Sequence, residues 1–239
     1  FYQGRTELED IDVRYLKSLY DGEISFSDAY LGAIIQQLDE HELRRDTLVI
    51  VVSDHGEEFL DHGSLGHGVS LYEEQLHVPI IFSLPGTLPE AIEVLTPAEL
   101  IDIPPTILDL IGAHTPGSMA GRSLLPLMFH DVETQEYRPR HAKLRDSHDS
   151  VRIGRWKLIR EFRNRSGRRF DSHSLYDLES DPRELVDRWA QELVVGRALR
   201  QALDWQLLHS DQRSTRPDKI PVDRLDPDEI KELKALGYL

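Results

Sequence analysis

Cysteine is absent from the 239 residues, so neither a disulfide framework nor thiol chemistry is open to them. There is no apolar run of the length that spans a bilayer. Nor is there an excess of positive charge: 28 Lys and Arg stand against 43 Asp and Glu, a formal net charge of -15. That balance argues against wholesale binding to nucleic acid or to an anionic membrane surface. An anionic substrate would have to be drawn in locally, by a metal ion or a basic pocket. The opening decapeptide Phe1–Asp10 is polar and acidic, unlike a signal peptide, and the chain does not start with Met; the natural start is expected to lie elsewhere, and the compartment stays open. What remains is an ordinary globular composition, long enough for one large domain, or one and a half, with a sizeable core.

The most informative stretch runs from Thr47 to Phe82. Its first part, Leu48 to Val52, is apolar and rich in β-branched residues, which predicts a short strand buried on both faces, as in a parallel sheet. At the carboxyl end the character changes to Ser53, Asp54, His55, Gly56. Ligands of open α/β sheets gather outside the carboxyl ends of strands. An acid beside an imidazole there can supply two metal ligands, if the backbone turns both toward one point. His62 and His67 follow in a glycine-rich loop, each with a glycine after it, and Val78 to Phe82 is a second apolar run.

SDHGEEFLDHG at Ser53–Gly63, GHGVSLYEE at Gly66–Glu74 and HVPIIFSLPG at His77–Gly86, in this order and spacing, resemble the sulfatase family of the alkaline phosphatase superfamily. The helical segment YDGEISFSDAYLGAIIQQL, the text LIDIPPTILDLIGA, and GRWKLI with SLYDLESDPRE resemble further landmarks of that family. The likeness covers nearly the whole chain, but only the C-terminal part of the family. It implies an α/β fold: the C-terminal part of a mostly parallel sheet flanked by helices over 1–135, then a small subdomain, 136–239, with an antiparallel sheet and a packed helix.

The residues agree in outline. Apolar positions Leu8, Ile11, Tyr15 and Leu19, then Tyr30, Ile34 and Leu38, recur three or four apart, predicting helix from Leu8 to Leu43. Gly22 and the segment after it point to a break, with Asp28 capping a second helix. Ile103–Ile111 is predicted helical, with Asp102 as cap and Gly112 as stop. Val151 to Phe162 and Leu175 to Leu178 read as strands of a hairpin, Glu184–Leu208 as a helix, and Asp226 as the cap of a last one. Arginines and lysines concentrate between Arg152 and Arg169; a solvated face pairing with the acidic excess is preferred to an anion-binding wall.

By the resemblance, Asp54 and His55 are two ligands of one divalent cation. The second of these is often Asn in sulfatases. Calcium is the ion the family implies, while an imidazole ligand also suits manganese or zinc. His67 stands where a Lys or His approaches the ester, and can donate hydrogen bonds to the anionic group or protonate the departing oxygen. His62 could line the pocket, orient a ligand or complete a second metal site. Glu57, Glu58, Glu73 and Glu74 are read as loop or helix acids with satisfied hydrogen bonds, with a supporting role behind the ligands as the alternative for Glu73. The family's nucleophile motif, CxPSR or SxPSR, whose first residue becomes formylglycine, has no match; Ser118–Arg122 is not one. The expected activity is therefore metal-dependent hydrolysis of sulfate esters, on a small molecule or glycan, by a longer protein. The alternatives are a phosphoesterase or phosphotransferase of the same superfamily, and a non-catalytic remnant that binds metal or an anion.

Overall fold

The computed structural model describes residues 8–129, 138–165 and 168–213. The chain divides into two compact units, Phe1–Leu203 and Asp204–Leu239. Of the second, only the end of one helix is described, and the helix expected from Asp226 lies outside the described residues.

The first element is a 31-residue helix, α1, Asp10–Glu40, opened by a capping box between Glu9 and Asp12. The break expected near Gly22 does not occur. A single glycine costs a helix only about 1 kcal/mol, and Ser25 bonds back to the Asp21 carbonyl at 3.0 Å, so it does not compete for a turn. The apolar stripe is present but exposed: Ile11, Tyr15, Leu19, Tyr30 and Ile34 all face outward. α1 meets the following loop through Tyr20, edge-on to Phe59 at 5.4 Å, and through Lys17, paired with Asp61 at 3.6 Å.

Strand β1, Val49–Val52, pairs with β4, Ile80–Ser83, and the pairing is antiparallel: Val49 opposes Ser83 and Val52 opposes Ile80. The mostly parallel sheet expected here is not found among the described residues. A parallel return needs a crossover of a dozen or more residues, usually a helix. The chain between Ser53 and Pro79 instead folds into the two-residue strands β2, Glu58–Phe59, and β3, Leu65–Gly66, then the one-turn helix α2, Glu73–Leu76. That brings it back beside β1 in the opposite direction. Among the described residues β1 and β4 pair only with each other, so β1 is half-buried rather than buried on both faces, and Val52 and Ile81 stay exposed.

A 3-10 turn, Leu100–Asp102, leads into helix α3, Ile103–Leu110, close to the expected span, and α4 is Leu125–Phe129. Asp102 does more than begin a helix. Its buried carboxylate accepts the amides of Glu99 and Arg122 and the Arg138 guanidinium, tying three stretches of chain together.

After it comes the expected antiparallel sheet, a four-stranded meander: β5, Arg140–Leu144; β6, His148–Ile153; β7, Trp156–Arg165; β8, Arg168–Asp177. The predicted strand Val151 to Phe162 is two strands, because Gly154, at φ 57°, turns the chain between Ile153 and Trp156. Val151, Leu158 and Leu175 are cross-strand neighbours and fully buried. The opposite face of the same strands carries Arg152, Lys157 and Tyr176 toward α2. Helix α5, Leu193–Arg213, starts later than expected. Glu184 sits in the left-handed region at φ 55°, and the Asp187 carboxylate takes the amides of Leu175 and Trp189, so the chain before Leu193 is committed to β8. Leu199 and Leu203 of α5 are buried.

Among the described residues, the basic side chains from Arg152 to Arg163 are paired. Arg155 bonds Asp177 and Glu179, Arg160 bonds Asp149 at 3.0 Å, and Arg163 lies 2.7 Å from Glu161. Leu158 is the centre of the buried row. Leu158→Ala is expected to lower unfolding free energy by about 2–5 kcal/mol, against less than about 0.5 kcal/mol for Ile81→Ala at an exposed position; urea denaturation of both variants measures the difference.

Candidate active site

At the carboxyl end of β1 the chain makes a tight, internally bonded turn. The Ser53 hydroxyl donates to the His55 carbonyl at 2.7 Å, and the His55 amide donates to Asp54 at 3.0 Å. Gly56 is required by a close approach: a Cβ there would stand 2.0 Å from the Glu74 carbonyl oxygen. Its amide donates to the Gln75 carbonyl at 2.9 Å, so α2 is pinned to the end of β1.

The β2–β3 ladder then sets the site. Glu58 opposes Gly66, which places Glu57 and His67, one residue further along each strand, opposite one another. His67 Nδ1 donates to the Glu57 carboxylate at 2.9 Å. The His55 ring stacks on the His67 ring, centroids 4.3 Å apart and planes 26° from parallel. His55 Nδ1 donates to the Gly56 carbonyl at 2.9 Å, and its Nε2 lies 3.8 Å from Asp54 Oδ2. One donor atom each from His55, Glu57 and His67 falls within 4.8 Å of the others. A pair of imidazoles with one carboxylate at this separation is a donor set for a divalent ion, and imidazole donors suit manganese or zinc better than calcium.

The loop that carries His67 is held from beneath by a fully buried carboxylate. Glu58 accepts the amides of His62 and Ser64 at 3.1 and 2.7 Å and the Ser70 hydroxyl at 3.0 Å. Gln75, also buried, donates to Glu58 and accepts the Gly68 amide at 2.9 Å. Reading Glu58 as a satisfied loop acid agrees with this. Glu57 has a part that the sequence does not suggest, since it faces His67. The ladder that aligns the two is two residues per strand, too short to leave a periodic signal.

His62 lies elsewhere. Its ring stacks on Tyr72 at 3.5 Å, with Nδ1 2.6 Å from Glu74 and Nε2 3.2 Å from the Glu184 carbonyl. The structure brings His55 and His67 together, with Asp54 beside His55, and leaves His62 to tie the loop to the segment after β8. Beside it, Glu184 accepts the Glu73 amide at 2.6 Å, and Lys157 lies 2.7 Å from Glu73 and 2.9 Å from Glu184. Burial pushes the Glu73 carboxyl up, but Lys157 and Arg152 outweigh it and hold the group below its ordinary value. At Glu184 burial wins, and its carboxyl is raised despite Lys157. A cleft of about 1280 Å³ runs along β4, lined by Asp54, Val78, Phe82, Arg152 and Lys157 among others, but not by His55 or His67.

Sequence comparisons show kinship, and the structure comparison shows a shared fold. Residues 2–113 match the family model described as "Sulfatase", and residues 66–210 match "N-sulphoglucosamine sulphohydrolase, C-terminal". Arylsulfatase K of Rattus norvegicus is 33% identical over 187 residues, covering 74% of this chain and 32% of that protein. The multifunctional alkaline phosphatase superfamily protein PehA of Trinickia caryophylli is 30% identical over 230 residues, 90% of this chain and 45% of that one. The phosphonate monoester hydrolase of Silicibacter pomeroyi superposes with a TM-score of 0.70 at 22% identity, over 90% of this chain and 45% of that chain. The chain thus spans 32–45% of the length of these relatives.

Two expectations follow from the hydrogen bonds. Glu58→Ala strips partners from buried donors at about 1–3 kcal/mol each; amide exchange at His62 and Ser64 should accelerate by well over tenfold, read by hydrogen-exchange mass spectrometry. His62 gives a pH signature. Burial lowers its pKa, but the hydrogen bond and charge of Glu74, with the carbonyl and carboxylate of Glu184, more than offset this, and the net shift is upward. A raised pKa means that the folded state holds the proton more tightly. The stabilisation is complete below the unfolded-state value near 6.5 and disappears as pH rises through the folded value. The melting-temperature gap between the native protein and His62→Gln should therefore be larger at pH 5.5 than at pH 8.5.

Proposed function

The chain belongs to the sulfatase family, and on that premise we propose that it is the C-terminal portion of a metal-dependent hydrolase of sulfate esters. The observation that carries the reading is His55 at the end of β1, with its ring stacked on His67 and its Nε2 3.8 Å from Asp54. A divalent cation bound there would neutralise charge on the transferred group and on the attacking oxygen. Asp54 and His55 are its ligands from this chain, and the formylglycine nucleophile belongs to the upstream part of the family's fold. His67 protonates the departing oxygen. Glu57 accepts the Nδ1 proton of His67, which fixes the ring and leaves Nε2 as the atom that meets the ester. The name of the second matching family model, an N-sulphoglucosamine sulphohydrolase, supports a sulfated sugar as substrate.

A phosphorus ester is the competing substrate class, favoured by the likeness to PehA, a multifunctional member of the superfamily. The same assay decides. Residues 1–239 and a form extended upstream are each given an aryl sulfate and an aryl phosphate, with calcium, manganese or zinc. The short form should show no enzymatic turnover, since a positioned nucleophile is required to split the displacement into two steps. The extended form should turn over the sulfate. There Asp54→Ala should abolish activity and His67→Ala should lower kcat by about 10²–10⁴-fold. Turnover by the short form that Asp54→Ala removes would show that the nucleophile lies within these residues. An extended form indifferent to Asp54→Ala would refute the ligand assignment.

A further inference from the structure

Glu184 stands where glycine is the ordinary residue, at the fourth place of a turn that follows β8. Its amide donates to the Asp181 carbonyl at 3.1 Å, and its backbone lies in the left-handed region at φ 55°. A β-carbon disfavours that conformation, which persists only where the surroundings impose it. Here they do. Asp181 takes the Val186 amide at 2.8 Å, and Asp187 takes the amides of Leu175 and Trp189. The residue so held is only 2% exposed. Strained positions of this kind cluster at functional sites.

We propose that Glu184 is a positioning residue for His67, acting through α2 and His62. The proposal rests on the reading of His67 as the group that protonates the departing oxygen.

Glu184 grips the loop at two places. Its carboxylate accepts the Glu73 amide at 2.6 Å, which fixes the first residue of α2. Its carbonyl accepts His62 Nε2 at 3.2 Å, and Nδ1 of the same ring lies 2.6 Å from Glu74. Both grips therefore converge on α2. That turn of helix reaches the catalytic imidazole directly: the Gln75 side chain accepts the amide of Gly68, next to His67, at 2.9 Å. Lys157 and Arg152 also meet Glu73, but at its carboxylate, on a side chain that can rotate without moving the backbone. Glu184 holds the backbone itself. A general acid acts only within hydrogen-bond reach of the atom it protonates, so a shift of about 1 Å at His67 can cost about 10²-fold in rate.

The test uses the form extended upstream, with phenyl sulfate and 4-nitrophenyl sulfate as paired substrates. Phenolate is a poor leaving group that needs protonation, whereas nitrophenolate departs far more readily without it, so their difference reports on the acid. Should the extended form prefer phosphorus esters, the corresponding phosphates serve. Glu184→Gly removes the carboxylate while suiting the left-handed backbone and sparing the carbonyl that His62 meets. It should lower kcat on phenyl sulfate by about 10–100-fold, with KM little changed and a much smaller loss on 4-nitrophenyl sulfate. Glu184→Gln keeps an oxygen for the Glu73 amide and should recover most of the rate. In a His67→Ala background, Glu184→Gly should cost no more on phenyl sulfate than on 4-nitrophenyl sulfate, because effects that run through one residue are not additive. In residues 1–239, Glu184→Gly should speed exchange of the Gly68 amide about tenfold and leave the buried row of the meander protected.

Equal losses on the two sulfates, or a selective loss that persists in His67→Ala, overturn the proposal. If Glu184→Gly is silent while His67→Ala is not, the positioning role is wrong and the hydrolase reading stands. If His67→Ala spares both sulfates, the acid assignment in that reading fails; unchanged Gly68 exchange then overturns the positioning role as well, and accelerated exchange upholds Glu184 as the residue that places the loop.

Discussion

The carboxylate of Glu58 is the constraint on which the site depends. It is wholly buried and meets two backbone amides, a hydroxyl and a side-chain amide. A buried carboxylate without such partners would cost several kcal/mol, and the same holds for the buried donors were it removed. Each therefore requires the other. That mutual requirement gives the loop from Glu57 to Gln75 one conformation, although its only regular structure is two two-residue strands and one helical turn. Among its partners are the His62 amide and, through Gln75, the amide of Gly68. Both ends of the segment bearing His67 are thus fixed before any ligand arrives.

A second buried charge centre joins this loop to the meander. Lys157, on β7, lies between Glu73 and Glu184, and Arg152 adds a further contact to Glu73. Replacing such a cluster by well-packed apolar side chains often leaves stability unchanged or improves it, whereas removing one member is severe. What the ions supply here is geometry. Glu73 begins α2, α2 holds Gly56 through the Gln75 carbonyl, and Gly56 follows His55. A charge on the antiparallel sheet is in this way connected, through successive direct contacts, to the residues proposed to bind metal.

Part of this was legible in the sequence. The β-branched run at Leu48–Val52 marked a strand, and the change to Ser53, Asp54, His55, Gly56 marked where its chemistry would begin. The alternation around GRWKLI and SLYDL marked the antiparallel sheet, with its strand count underestimated because Gly154 divides one apolar run into two strands. Pairing direction was not legible. It depends on how the Ser53–Pro79 segment returns, and a segment organised by one buried Glu carries no periodicity. The continuity of α1 was hidden for a related reason: Gly22 and Ser25 are weak local signals, and Ser25 is satisfied within the helix. His62 and His67 look alike in sequence, each preceding a glycine. Only the three-dimensional partners separate them, Tyr72 and Glu74 for one, His55 and Glu57 for the other.

The meander has a consequence for how the molecule reaches its structure. β5, β6, β7 and β8 pair with their sequence neighbours, so each hairpin closes a loop of only a few residues. The entropy of closing a loop grows with its length, and contacts between near neighbours form faster than distant ones. β1 and β4 must wait for the whole Ser53–Pro79 segment to be arranged, and Lys157 must be in place before Glu73 has a partner. The kinetic order therefore runs against the order of the chain: the later half organises first and serves as the template on which the strand end, with its acid and its two imidazoles, is assembled.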